Sequence, residues 1–242
     1  YLAGIDTFSI STKNKYLIAA KIFLDGLHRL NLIPQKITDH VRGFTQSRLH
    51  RKEGLQDADI GKLQRYCSDL PPTPQNLRLR ALVALFLFQG LRQIEVVRLD
   101  VGDIDLRNKT AFIRGKGRDD KEPIHLHPST VRVLREYLNR YRFRSGALFR
   151  SDSNHCRGER LTTKSVREII KRVFAKLEID GSVHGFRHFF ITKLIKSYKG
   201  ELLMVSKYSR HRSIQMLEVY NDEIIRERDL PRFYEVFKGI RI

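Results

Sequence analysis

Cysteine is scarce in this chain. Its 242 residues hold two, Cys67 and Cys156, far apart and without a C-x-x-C spacing, so neither a disulfide framework nor a structural zinc site is indicated. Two isolated thiols suit a reducing interior compartment. Long apolar runs are missing as well. The longest, Ala81 to Phe88, falls far short of the roughly 20 residues that cross a bilayer and reads as a buried helix. Acidic residues are outnumbered, with 27 Asp+Glu against 46 Lys+Arg and a formal net charge of +19. Such an excess attracts polyanions and makes association sensitive to salt, which places nucleic acid ahead of an anionic membrane surface as the partner. No internal repeat, low-complexity tract or signal-peptide pattern is found. The chain begins at Tyr1 rather than at a methionine, and an upstream segment is expected.

What is present divides into three stretches. In residues 1–40, Tyr16, Ala19, Ala20, Phe23, Leu24 and Leu27 recur at helical spacing and Pro34 closes the pattern, a stripe too short to bury itself. Residues 41–55 are basic and poorly patterned, as in a linker. From residue 56 the pattern is regular. Helices are predicted over 57–67 and 77–89, the first with Asp57 and Asp59 favouring its N-terminal dipole, the second ended by Gly90. Three short runs, DIDL, TAFIR and EPIHL between residues 103 and 126, predict an antiparallel meander with a basic turn after its second strand. Helices follow at 129–141, 163–177, 185–197, 201–208 and 214–219, then an amphipathic stretch near 230–240. The expected fold is therefore mainly α with a small antiparallel three-stranded β-sheet, an α+β domain.

Four clusters carry chemistry. In Gly90-Leu91-Arg92-Gln93-Ile94-Glu95, Arg92 sits at an element junction with Glu95 one turn on; such a carboxylate orients a guanidinium toward a phosphate, or merely makes a surface ion pair. Gly115-Lys116-Gly117-Arg118 puts Lys116 in a hairpin turn between flexible glycines, a phosphate-reaching point charge or an ordinary solvated turn. In His184-Gly185-Phe186-Arg187-His188, His184 and Arg187 lie one turn apart and can hold one anion. His184 and His188 at i, i+4 also invite a zinc reading, but position 185 is Gly where a zinc hydrolase uses Glu, and no third ligand is marked. Last, Ser209-Arg210-His211 precedes Tyr220 by nine residues counted from His211. An isolated tyrosine is far more often packing than chemistry, and Tyr198 and Tyr208 compete nearby.

Together and in order, these residues resemble the tyrosine recombinases, the family of phage integrases and Xer chromosome-dimer resolvases. That family's pattern is a G-L-R-x-x-E box, a lysine in a β-turn, H-x-x-R, a further histidine and then a tyrosine. Arg92, Lys116, His184, Arg187, His211 and Tyr220 fill it, over roughly residues 55–222. Two departures stand out: Ser209-Arg210 where the family commonly has Leu-Gly, and Val96 where Leu usually follows the Glu.

The resemblance implies a catalytic domain over 56–242, the end of a helical core-binding domain over 1–40, and a docking tail from about residue 221. It implies DNA strand cleavage and rejoining through a 3′-phosphotyrosyl link on Tyr220, with no metal or nucleotide cofactor. Arg92, Arg187 and His211 would hold the scissile phosphate, His184 would help deprotonate Tyr220, and Lys116 would protonate the leaving 5′-oxygen. Arg42, Arg48, Arg51, Lys52, Arg118, Arg157, Arg160, Lys164, Arg167, Lys171 and Arg210 are the expected DNA-gripping side chains. The implied partners are double-stranded DNA with a recombination site and further copies of the chain, four on two sites. Leu230, Phe233, Tyr234, Phe237 and Ile240 would form the tail's docking stripe. The implied setting is the nucleoid of a prokaryote, or a phage or mobile element. A type IB topoisomerase and a noncatalytic DNA-binding protein are the rival readings.

Overall fold

A computed structural model describes residues 4–5, 7–45, 54–115, 120–211 and 213–236, apart from the side chains of 223, 226–228 and 233. It divides into two compact units, Tyr1–His50 and Arg51–Ile242.

In the first unit, helix α1 (Ile10–Arg29) starts where the Ser9 hydroxyl accepts from the Thr12 amide. Tyr16, Ile18, Ile22 and Phe23 of this helix are exposed. The segment after it folds back: the Asn14 side chain pairs with both the carbonyl and the amide of Phe44 at 2.9 and 2.8 Å, and Lys21 donates to the Val41 carbonyl. Residues 41–44, expected to begin a linker, are thus tied to α1 by backbone groups that need partners.

The second unit is mainly helical with one small sheet. Its centre is α3 (Pro74–Gln89), whose Leu82, Leu85 and Phe86 are fully buried, each contributing roughly 1.5–3 kcal/mol. Thr73 caps the helix with its hydroxyl and Pro74 fills the first turn, where a missing amide costs nothing. This is why it starts earlier than the apolar run suggests. Helix α2 (Asp57–Asp69) precedes it, and α4 (Gln93–Val97) follows after Gly90. A 3-10 turn, Val101–Asp103, leads into β1 (Ile104–Asp105), β2 (Thr110–Arg114) and β3 (Lys121–His125). The strands pair antiparallel in the order β1-β2-β3, with Ala111 opposite Ile124 and Arg114 opposite Lys121. Ala111 and Ile113 point into the core while Phe112 and Arg114 face out, the period of two expected of a half-buried strand. Pro123 is accommodated because β3 is an edge strand.

Helices α5 (Pro128–Tyr141) and α7 (Val183–Ser197) both pack on α3, and α6 (Thr163–Lys176) packs on α4 and α7. A second apolar cluster joins α7 to α8 (Leu202–Ser209) and α9 (Gln215–Val236) through Ile191, Ile195, Val205, Leu217, Tyr220 and Ile224. Two short helical pieces were expected after Tyr208, but α9 is one 22-residue helix that runs through Pro231. The tail expected from about residue 221 therefore begins inside a helix, and Ile224 anchors its first turn on its own unit. Leu230 and Tyr234 of the expected docking stripe are exposed; Phe237, Ile240 and the Phe233 side chain lie outside the described residues. No helix among the described residues is long and apolar enough to cross a membrane.

Gly90 joins the two halves of this arrangement. It ends α3 at φ +56°, and a Cβ there would fall 2.3 Å from the Phe190 ring of α7. Gly90→Ala therefore combines left-handed strain with overpacking, and is expected to cost about 2–5 kcal/mol. Urea unfolding measures it; an unchanged midpoint would mean that Phe190 yields freely and that this contact does not hold the fold.

Candidate active site

The turn after α3 delivers Arg92 as the N-cap of α4. Glu95, 1% exposed, receives the Arg92 backbone amide on Oε2 at 2.7 Å and its Nη1 on Oε1 at 2.9 Å. One buried carboxylate thus fixes both the backbone and the guanidinium of Arg92, the orienting role that the spacing suggested.

Arg187, on the second turn of α7, is 2% exposed. Its Nη1 donates to the Gly90 carbonyl and its Nη2 to the Ser209 carbonyl, both at 2.6 Å. The close seat of α7's first turn depends on two missing side chains. A Cβ on Gly54 would lie 3.0 Å from His188 Cβ, and one on Gly185 would lie 3.2 Å from Leu55. Gly185 is a packing residue here, which accounts for its place in the motif.

His211 follows α8 after the left-handed residue Arg210. Its Nδ1 is 2.8 Å from Ser209 Oγ and its Nε2 is 3.4 Å from Arg187 Nη2. Burial, and then the positive charges of Arg187, Arg92 and Arg210 with His184 beside them, push its pKa down to about 4. Burial likewise lowers Arg187 to about 10, with Arg92 and Arg210 acting in the same direction and Glu95 and Tyr220 opposing them. The charges of Arg92, Arg187 and His184 therefore reach His211, and Tyr220 acts on Arg187.

Tyr220 is 8% exposed. Leu217, Tyr220 and Ile224 form one face of α9 in the second cluster, which turns the phenol toward α7. Its hydroxyl is 2.8 Å from His188 Nδ1, with ring centroids 5.3 Å apart. His184 meets His188 edge to face at 4.6 Å. In the sequence His188 stands only as one half of a possible zinc pair with His184, outside the expected site. Its i, i+4 relation to His184 was the available signal, but the α7–α9 packing that gives it Tyr220 is tertiary. The competing tyrosines, Tyr198 and Tyr208, stack on each other at 5.9 Å.

The expected DNA-gripping residues divide. Lys164, Arg167 and Lys171 line an exposed face of α6, and Arg42 and Arg157 are exposed. Arg160 is exposed as well, but its guanidinium is engaged within the fold, donating to the carbonyls of Val97 and Leu99 at 2.9 and 3.0 Å and pairing with Asp100. Arg210 corrects the expectation more sharply. Its side chain is 9% exposed and turns inward, with Nη2 at 2.9 Å from Glu95 Oε2 and Nε at 3.4 Å from Glu122 Oε1. Two carboxylates supplied by α4 and β3 outcompete solvent for its charge. Lys116, Arg118, Arg48, Arg51 and Lys52 lie outside the described residues; the base of the lysine turn is set by the Arg114–Lys121 pair.

Residues 54–225 match the model of the phage integrase family. The chain belongs to that family. It is 34% identical over 224 residues to a tyrosine recombinase XerC of Herpetosiphon aurantiacus, covering 88% of this chain and 69% of that protein. A tyrosine recombinase XerC of Pelotomaculum thermopropionicum is 30% identical over 156 residues, which are 61% of this chain and 50% of that protein; the match spans half of that relative. In fold, this integrase-family chain resembles the XerH site-specific recombinase bound to a palindromic difH substrate in a post-cleavage complex. The TM-score is 0.76 at 21% identity, over 96% of this chain and 68% of that one.

The lowered pKa of His211 has a measurable sign. Between about 4 and its ordinary value of 6.5, the unfolded imidazole binds a proton and the folded one does not. Its contribution to stability is therefore complete above pH 6.5 and is lost as pH falls toward 4. Urea midpoints should drop more steeply with acidification in the wild type than in His211→Gln; parallel curves would contradict the buried neutral imidazole.

Proposed function

We propose that this chain is a site-specific DNA recombinase that cleaves and rejoins strands with Tyr220 as nucleophile. The observation that carries the reading is the Tyr220 hydroxyl seated 2.8 Å from a histidine nitrogen, beside two arginines and a neutral histidine. Attack by an oxygen on a phosphodiester adds negative charge to the non-bridging oxygens, and donors aimed there stabilise the transition state. Arg92 and Arg187 supply those donors, and His211 Nε2 steadies Arg187 beside them. The phenol, with an ordinary pKa of about 10, loses its proton to His188 as its oxygen bonds to phosphorus. His184, edge-on to His188, supports that transfer rather than performing it. The departing 5′-oxygen takes a proton from Lys116. The resulting 3′-phosphotyrosyl bond keeps the phosphoester's energy, so a 5′-hydroxyl from another strand reverses the step.

Membership of the integrase family and relatives named as tyrosine recombinases favour this over a type IB topoisomerase or a noncatalytic DNA-binding protein. The substrate is double-stranded DNA carrying a recombination site, gripped by the +19 charge and by the α6 face. Four copies on two sites, joined through the end of α9, form the proposed working assembly. The setting is a bacterial nucleoid or a mobile element.

Tyr220→Phe should bind DNA as the wild type does and form no covalent product on a suicide substrate in a denaturing gel. A persistent covalent band would sink the assignment. His188→Ala should cleave about 10²-fold more slowly near neutral pH and recover as pH rises, because an unaided phenol must ionise first. A slowed variant whose pH profile keeps the wild-type shape would remove His188 from the proton path.

A further inference from the structure

Ser209 and Arg210 stand where the family commonly has Leu-Gly. Arg210 holds the backbone shape that glycine adopts freely, φ +55° and ψ 44°, although a side chain is disfavoured there. Its guanidinium is nonetheless drawn inward, onto Glu95 at 2.9 Å and toward Glu122 of β3 at 3.4 Å. Glu95 is the carboxylate that fixes the backbone and side chain of Arg92. Arg210 therefore connects the α8–α9 junction to a phosphate-holding arginine and to the strand that follows the lysine turn.

Ser209 is fully buried. Its carbonyl accepts from Arg187, and its hydroxyl lies 2.8 Å from His211 Nδ1. A neutral imidazole carries one hydrogen, and the group bonded to one nitrogen decides where it resides. A guanidinium can only donate, so the bond from Arg187 Nη2 at 3.4 Å makes His211 Nε2 the acceptor. The hydrogen then resides on Nδ1, which donates it to the Ser209 hydroxyl. Leucine and glycine supply neither contact.

We infer that Ser209 and Arg210 are positioning residues: Ser209 accepts the His211 Nδ1 hydrogen and so leaves Nε2 to receive Arg187, and Arg210 locks Glu95 so that Arg92 is held in place before DNA arrives. The inference rests on the strand-cleaving reading for its purpose but not for its geometry.

Two experiments on the whole chain separate these. In the DNA-free protein, 15N shifts of labelled His211 should show a protonated Nδ1 and an accepting Nε2. Ser209→Ala should convert this to a mixed signal, and Ser209→Thr, which keeps the hydroxyl, should restore it. A protonated Nε2 in the wild type would overturn the Ser209 assignment, whether or not the protein cleaves DNA. For Arg210, the variant Arg210→Gly relaxes the backbone and removes only the side chain. Single-turnover cleavage should fall about 10-fold or more at unchanged DNA affinity, and Glu95→Gln added to it should cost much less than in the wild-type background. Wild-type cleavage by Arg210→Gly, or fully additive losses, would overturn the lock. Should the wild type form no covalent product, the strand-cleaving reading fails, while the 15N measurement still decides the Ser209 contact.

Discussion

A cation placed almost wholly out of water has to be met by acceptors, and Arg187 is met by two backbone carbonyls rather than by a carboxylate. Those carbonyls belong to Gly90, at the end of α3, and Ser209, at the end of α8, so one guanidinium ties the centre of the main core to the element that precedes the nucleophile's helix. Carbonyl oxygens satisfy its hydrogens without cancelling its charge. Arg187, Arg92 and Arg210 thus crowd around Glu95, with Glu122 further out. The site carries more positive than negative charge in a place with little solvent to screen it. Burial, and after it these positive charges, hold the pKa of His211 low. In the proposed reaction an entering phosphodiester would relieve the imbalance and the additional charge of its transition state would relieve it further, the differential stabilisation that catalysis requires.

The proposed nucleophile has a separate foundation. Tyr220 belongs to the small α7–α8–α9 cluster and not to the core around α3. Its ring contributes packing there while the hydroxyl reaches His188. The arginines and the tyrosine are therefore assembled on different apolar clusters that share α7. Arg187 extends from this helix toward His211, and His188 toward the phenol. The order His-x-x-Arg-His along one helix places all three within about one turn, which is why a short sequence motif conveys so much of the site.

Legibility in the sequence followed that locality. The meander between residues 104 and 125 and most helices could be read because periodicity and caps act within a few residues, as at Gly90, although the helix start at Pro74 was placed three residues late. The pairing of Arg92 with Glu95 was visible for the same reason. Contacts between elements distant in the chain were not. Whether Arg210 points to DNA or inward depends on carboxylates 115 and 88 residues away at Glu95 and Glu122, and no local pattern records them. His188 was hidden because its other partner arrives from α9. Pro231 suggested a break, yet helix α9 continues through it. The first residues of the expected linker are held on α1 by Asn14 and Lys21, 20 to 30 residues earlier.

The conformation of Arg210 shows what the two clusters demand of each other. A residue with a side chain is held at positive φ, and a guanidinium is taken out of water, at the one position where α8 must turn sharply to bring His211 to Arg187 and then lead into α9. Glycine would make the turn without strain, but it would remove one of the cations bonded to Glu95, and Glu95 is among the most buried carboxylates of the described residues. Two cations on one buried carboxylate restrict it more than one does, because each bond fixes a different oxygen and direction. The strain at the turn is thus offset by rigidity at Arg92, and backbone strain of this kind persists only where surrounding contacts over-determine it. In this chain those contacts are Glu95, Glu122 and the Ser209 carbonyl on Arg187, so the turn, the two arginines and the histidine stand or fall as one unit.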